Sequence, residues 1–267
     1  MASSLSDILR NPMREKLARG EVVSSMTVRL VRHIEIARIA KTAGFDSLYI
    51  DMEHNSFSID ACGQICMAAA AIGITPMVRV PANTPEWISR VLDAGAWGVI
   101  APHVRSAAEA RAVVAAAKFP PLGERSANAG LPHLEYRGFP ATEANAGMNN
   151  ATIVMVQFES AGAIEQADEI MAVEGLDMVM IGSNDLLADM GLTGQYDHPK
   201  LRDAYQRTIA AAQKHGKHTG VGGLASRNDL VAEFVKMGAR YVSTGTDTAF
   251  LLSACTAKAK QVADLKV

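Results

Sequence analysis

Short apolar runs alternate with Ala-rich stretches of helical periodicity along most of the chain, and this rhythm limits the fold more than any other feature. Strands are expected at 22–27, 47–51, 75–80, 98–101, 152–158, 177–182, 218–222 and 240–245. Between them, apolar residues recurring every three to four positions predict helices at Leu30 to Thr42, Ile59 to Ile72, Pro85 to Ala94, Ala107 to Lys118, Ala161 to Val173, Leu201 to His215 and Arg227 to Met237. A terminal helix is expected over Ala249 to Leu265. Gly44, Gly73, Gly95, Gly175, Gly216 and Gly238 stand between a helix and the next strand, where a left-handed residue closes the helix. Eight such units in 267 residues match an α/β fold, the (β/α)8 TIM barrel, as a single domain over 1–267. An open doubly wound sheet competes, but it carries a Gly-rich fingerprint after its first strand. Thr27-Val28-Arg29 stands at that place, so the barrel is favoured.

Residues 119–151 break the rhythm with Pro, Gly, Asn and Arg. A long irregular stretch inside a compact domain is usually functional, so this one is read as a lid or substrate-facing loop.

Composition removes several classes of partner. Lys plus Arg is 26 and Asp plus Glu 28, with no basic stripe, which argues against nucleic acid. No apolar run reaches the roughly 18 residues of a membrane span, so no membrane partner is expected. The first residues lack the apolar core of a signal peptide. Cys62, Cys66 and Cys255 cannot all pair, which suits a reducing compartment, and a cytoplasmic protein is expected. Cys62 and Cys66 share a helix face without a second Cys/His pair nearby, so buried packing is preferred to a metal pair.

Charged groups follow the expected strands at Asp51-Met52-Glu53-His54, Arg79, Glu159 and Asp185. In a (β/α)8 barrel the carboxyl ends of the strands form one face, and the chemistry sits there. Glu159 and Asp185, after the fifth and sixth strands, would be neighbours. Two carboxylates without convergent cysteines supply hard oxygen ligands suited to Mg2+ or Mn2+. The plainer reading is two loop acids or helix caps. Gly182-Ser183-Asn184 precedes a helical segment, and its backbone N–H groups suit a substrate carboxylate. Arg79 could neutralise an enolate oxygen, or form a structural ion pair at the barrel mouth. His54 is the histidine immediately following a strand-end acid pair and could act as general base, oriented by Asp51 or Asp93. His103 is a weaker candidate of the same type. A Schiff-base aldolase needs a desolvated lysine projecting from a strand. None of the ten lysines lies inside an expected strand, so imine chemistry is disfavoured.

Five motifs then resemble, in order, the HpcH/HpaI aldolases, which are metal-dependent pyruvate aldolases of the 2,4-dihydroxyhept-2-ene-1,7-dioate aldolase type. They are Asp51-x-Glu53-His54, Val78-Arg79-Val80-Pro81, Leu92-Asp93-Ala94-Gly95-Ala96-x-Gly98-Val99-Ile100-x-Pro102, Gln157-Phe158-Glu159-Ser160 and Ile181-Gly182-x-x-Asp185-Leu186. The resemblance implies a divalent metal (Mg2+, Mn2+ or Co2+) at Glu159 and Asp185, chelated by pyruvate. It implies His54 as base with Asp93 orienting it, and Arg79 stabilising the enolate. The backbone of Gly182, Ser183 and Asn184 would seat the carboxylate, with Gln157 and Gly223 beside the substrate. Pyruvate or another 2-oxo acid would add to an aldehyde, or a 4-hydroxy-2-oxo acid would be cleaved, with oxaloacetate decarboxylation as a side reaction. A homo-oligomer, usually a hexamer exchanging the last helix, is implied for 249–267. The chain departs from the family's Gly-Pro-Ala-Asp-Leu at Gly182-Ser183-Asn184-Asp185-Leu186, and from its Arg-Gly at Gly123-Glu124-Arg125-Ser126. Gly220-Val221-Gly222-Gly223-Leu224 is richer in glycine than usual.

Two rival readings remain. A citrate-lyase-like CoA-ester lyase needs a basic nucleotide rim, for which Arg105, Arg111 and Arg125 are few and scattered. A non-catalytic oligomeric barrel would leave the Glu159/Asp185 pair without a reason.

Overall fold

The computed structural model describes residues 4–128 and 130–265. Its strands are β1 (Val23–Val28), β2 (Ser47–Asp51), β3 (Thr75–Arg79), β4 (Gly98–Ala101), β5 (Ile153–Phe158), β6 (Met178–Gly182), β7 (His218–Gly222) and β8 (Tyr241–Thr246). Each pairs in parallel with its sequence neighbour, and β8 returns to β1 to close a barrel. The expected α/β barrel is what forms, with strand limits shifted by one residue at most.

Two short helices, α1 (Leu5–Ile8) and α2 (Pro12–Ala18), precede the barrel. Around it run α3 (Glu35–Ala43), α4 (Ile59–Ala71), α5 (Pro85–Asp93), α6 (Ala107–Ala117), α7 (Ala141–Ala151), α8 (Ala161–Glu165) and α9 (Ala167–Met171). They are followed by α10 (Ser183–Asp189), α11 (Pro199–Lys214), α12 (Asn228–Met237) and α13 (Asp247–Ala263). The helix expected from Leu30 begins only at Glu35. The reason is a competing acceptor: the N–H groups of Arg29, Leu30 and Val31 donate to the Asp247 carboxylate at 2.9, 2.9 and 2.8 Å. The helix expected over 161–173 breaks at Gln166 into α8 and α9.

Strand alternation divides the core. Tyr49, Met77, Ile100, Met155, Met180 and Tyr241 point into the barrel, while Leu48, Ile50, Val78 and Val99 pack outward on the helices. Met13 and Leu17 of α2 join the interior cluster, so α2 plugs the end where the strands begin. Cys62 and Cys66 are free, buried thiols on α4.

The stretch 119–151 does not face the strand tips. It contains a short 3-10 turn (Pro132–Leu134) and α7, and it joins the end of α6 to the start of β5. Phe119, Leu131, Leu134, Ala144 and Met148 pack together with Leu5, Leu9 and Phe139. A connection from helix to strand must return to the end where strands begin, which places this segment opposite the expected site.

Candidate active site

Parallel register sets the strand tips side by side. Asp51 pairs with Arg79 across β2 and β3. Phe158 pairs with Ile181, so Glu159 emerges beside Gly182. That approach is close: a Cβ built on Gly182 would lie 2.7 Å from Glu159 Cγ and 2.8 Å from its Oε1. Only a glycine leaves room for the carboxylate there.

Arg79 is almost wholly buried and fully engaged. Its Nε and Nη2 donate to Asp51 at 2.9 and 2.6 Å, and Nη1 lies 2.8 Å from Glu53 Oε2. Burial opposes the Arg79 charge, but Tyr49, Asp51 and Glu53 outweigh it and raise its pKa. Burial likewise pushes the Asp51 carboxyl up, while Arg79 and then Arg29 more than compensate and hold it below its usual value. Arg29 Nε donates to Asp51 Oδ2 at 2.7 Å, so one carboxylate sits between two guanidinium groups. Asp51 also orders the following turn by accepting from the N–H groups of Glu53 and His54 at 3.1 and 3.3 Å.

His103 links two acids. Its ring nitrogens lie 2.8 Å from Glu53 Oε1 and 2.8 Å from Glu159 Oε2, and its backbone N–H donates to Glu159 Oε2 at 2.8 Å. Its φ of 56° is left-handed, a costly conformation for a non-glycine residue and one that clusters at functional sites. Gln157 accepts from the Tyr49 hydroxyl at 3.4 Å and donates to Glu159 Oε1 at 3.3 Å. Burial raises the Glu159 pKa; His103 lowers it, while the negative charges of Asp185 and Glu53 add to the increase. A buried carboxylate pushed up by a neighbouring carboxylate is a site where a cation gains most.

Tyr49, Arg79, Gln157 and Glu159 line a cavity of about 520 Å³ with Thr27, Arg29, His54, Asn184, Asp185, Tyr196, Gly223, Ser226, Ser243 and Thr246, and Asp51, Glu53 and His103 hold them from behind. Of the expected site residues, His54, Arg79, Gln157, Glu159, Gly182, Asn184, Asp185 and Gly223 meet there. His54 is half exposed, with Nε2 3.6 Å from Glu53 Oε2. Ser183 does not line the cavity; its hydroxyl turns into the core against the Tyr205 hydroxyl at 2.9 Å. Gly182, as N-cap of α10, offers no side-chain acceptor to the first-turn N–H groups.

Asp93 is not brought to His54 within one chain. It is the last residue of α5, and a helix returning over a parallel barrel ends where the strands begin. Its carboxylate accepts from Arg125 Nη2 at 2.6 Å. Arg125 is therefore committed to Asp93, and Arg111 lines an outer cleft with Pro120, Pro121 and Glu174. Neither stands at the cavity rim, where a nucleotide would need them. Arg29, Tyr49 and Tyr196 line the cavity without a signal in the sequence pattern, and His103, a weaker candidate by sequence, bridges Glu53 and Glu159.

The donor set suits a hard divalent cation. Asp185 has no hydrogen-bond or ion-pair partner among the described residues, and Glu159 Oε1 is held only by the long contact from Gln157. No group of three or more His, Cys, Asp or Glu side chains among the described residues is arranged to hold a metal ion by itself. Two protein oxygens leave coordination positions for substrate and water, as hard six-coordinate ions require.

Comparison with known proteins points the same way. Residues 29–254 match the HpcH/HpaI aldolase/citrate lyase family. A 4-hydroxy-4-methyl-2-oxoglutarate aldolase of Hapsidospora irregularis is 37% identical over 260 residues, 96% of each chain. A 2-keto-3-deoxy-L-rhamnonate aldolase of Escherichia coli is 34% identical, covering 91% of this chain and 90% of its own. The crystal structure of an HpcH/HpaI aldolase from Desulfitobacterium hafniense superposes with a TM-score of 0.88 at 31% identity, covering 95% of this chain and 97% of that one. Fold, site and relatives define a carbon–carbon lyase of the pyruvate-aldolase class built on a (β/α)8 barrel. The chain belongs to the HpcH/HpaI aldolase/citrate lyase family.

Proposed function

We propose that the chain cleaves, and in reverse forms, a 4-hydroxy-2-oxo acid of the 4-hydroxy-4-methyl-2-oxoglutarate type, releasing pyruvate. The Hapsidospora relative supports the substrate. The juxtaposition of Glu159, Asp185, Arg79 and His54 in one cavity carries the chemistry.

Glu159 and Asp185 would hold Mg2+, Mn2+ or Co2+, which when bound supplies Lewis-acid polarisation of the 2-oxo group. The backbone from Gly182 to Asn184 seats the substrate carboxylate beside Gln157 and Gly223. His54, half exposed and next to Glu53, takes the proton from the pyruvate methyl group in synthesis. Arg79, fixed by Asp51 and Glu53, directs its positive charge at the oxygen where negative charge develops, and needs no rearrangement to do so. In cleavage the same base accepts the proton of the 4-hydroxyl as C4 becomes a carbonyl and the C3–C4 bond breaks; the electron pair passes to the 2-oxo group as an enolate, and C3 takes the proton back to give pyruvate.

The family implies a homohexamer exchanging its last helix, and α13 fits that role: its Leu251 and Leu252 are 54% and 66% exposed, and Leu265 just beyond its end is 71% exposed. If Asp93 orients His54, it does so from a second copy, since within one chain the two lie at opposite barrel ends. No helix among the described residues is long and apolar enough to cross a membrane. The unpaired cysteines support a reducing, cytoplasmic setting.

The test is deuterium exchange into the pyruvate methyl group in D2O, followed by NMR with Mg2+, Mn2+ and Co2+ in turn. Exchange should vanish with EDTA and in Glu159→Gln, and slow by about 10²-fold or more in His54→Ala. Borohydride with pyruvate should leave the protein unmodified. Unchanged exchange in Glu159→Gln would refute the metal role.

A further inference from the structure

The cavity holds a second guanidinium that the half-reaction on pyruvate does not use. Arg29 follows β1, lines the same space as Glu159 and Asp185, and is partly exposed to it, with 38% of its side chain accessible. Its Nε is locked to Asp51, whereas Nη1 and Nη2 have no partner among the described residues. Its backbone is equally fixed, because Asp247 accepts three successive N–H groups from Arg29 to Val31. A charged fork held at both ends, with two donors left open toward a cavity, is a preorganised receptor for a planar anion. Arg79 is already assigned to the developing enolate oxygen, and Asp51 and Glu53 hold each of its three nitrogens, so the open fork is that of Arg29. Hydroxyl donors at Ser226, Ser243 and Thr246 share the lining with Arg29 and suit a polar far end of the substrate.

We propose that Arg29 is a specificity-determining residue that binds the distal carboxylate of the substrate, so that the acceptor in synthesis is a 2-oxo acid rather than a neutral aldehyde. This rests on the aldolase reading above, which places the other carboxylate near Gly182 to Asn184. With both ends anchored, C4 lies between Arg29 and the polarised 2-oxo group. Loss of the distal carboxylate removes a charge-assisted pair and leaves the fork without its anion.

Binding of two unreactive analogues separates this proposal from turnover. 2-Oxoglutarate carries a distal carboxylate and no 4-hydroxyl, and 2-oxopentanoate has the same chain without that carboxylate. Calorimetric titration of the Mn2+-loaded protein should show 2-oxoglutarate binding tighter by about tenfold or more. Arg29→Gln should abolish that preference, and Arg29→Lys, which keeps the charge, should retain part of it. Equal affinities in the wild type, or an undiminished preference in Arg29→Gln, would overturn the assignment. A wild-type protein that prefers 2-oxoglutarate through Arg29 but never exchanges pyruvate methyl protons would keep this subsite and sink the aldolase reading instead.

Discussion

At the scale of single residues, the site is governed by how closely side chains can approach, and Gly182 shows this most directly. Its backbone is in an ordinary region, with φ −84°, so a side chain is excluded by space and not by conformation. Gly182→Ala would drive a methyl group against Glu159 Cγ and Oε1. The carboxylate must then swing away, while the barrel, whose core lies elsewhere, keeps its fold. Mn2+ affinity is expected to fall about tenfold or more by calorimetry, a loss near 1.4 kcal/mol, with far-UV circular dichroism unchanged. Wild-type affinity in this variant would show that Glu159 does not hold the ion. The acids at the strand tips were legible in the sequence because each follows an apolar run, and parallel register converts sequence order into adjacency. His103 is legible only as a weaker candidate and Arg29 not at all. The first acts through a left-handed backbone turn, and the second stands just before a stretch whose helical periodicity is overridden by Asp247, which is 218 residues away.

At the scale of elements, α13 is the helix whose packing one chain leaves unfinished. It packs on the barrel chiefly at β1 and β8, and Asp247 is its sole buried residue among those described. Phe250, Leu251, Leu252, Val262 and Leu265 are exposed together. Covering a leucine side chain is worth about 1.5–3 kcal/mol, so their joint exposure favours association with further copies. Leu252→Glu should lower the mass seen by light scattering while the unfolding of the barrel itself stays cooperative. An unchanged mass in that variant would remove α13 from the assembly interface. The repeated β-α pattern announced most outer helices. It could not reveal α7 or the destination of 119–151, because those residues pack on α1 through a small separate cluster with weak periodicity.

At the scale of the whole molecule, the barrel separates its chemistry by ends. Acids and arginines gather at the strand tips, and the opposite end is closed by buried and half-buried polar groups that tie helices and strands together. Lys118 donates to the Asn149 and Thr152 carbonyls at 2.7 and 2.6 Å, and Arg14 pairs with Asp177 at 2.6 Å. His133 belongs to this end, buried beside Trp97, with Nε2 bonded to the Ala96 carbonyl at 2.9 Å and Nδ1 unpartnered. Burial lowers its pKa to about 4, helped by the positive charge of Arg125, and opposed by the Ala96 hydrogen bond and Asp93. The folded protein therefore refuses a proton that the unfolded chain accepts below about pH 6.5. Between that pH and about 4 the unfolded state binds more protons, so stability is full above the window and falls as acid is added. The loss from this one group is on the order of 3 kcal/mol. In His133→Gln that contribution is absent. Denaturant midpoints measured from pH 7 down to 4.5 should decline less steeply in the variant than in the wild type. Parallel declines would mean that His133 is protonated in the folded barrel, with its free Nδ1 reaching water or an acid that the packing at this end does not otherwise require.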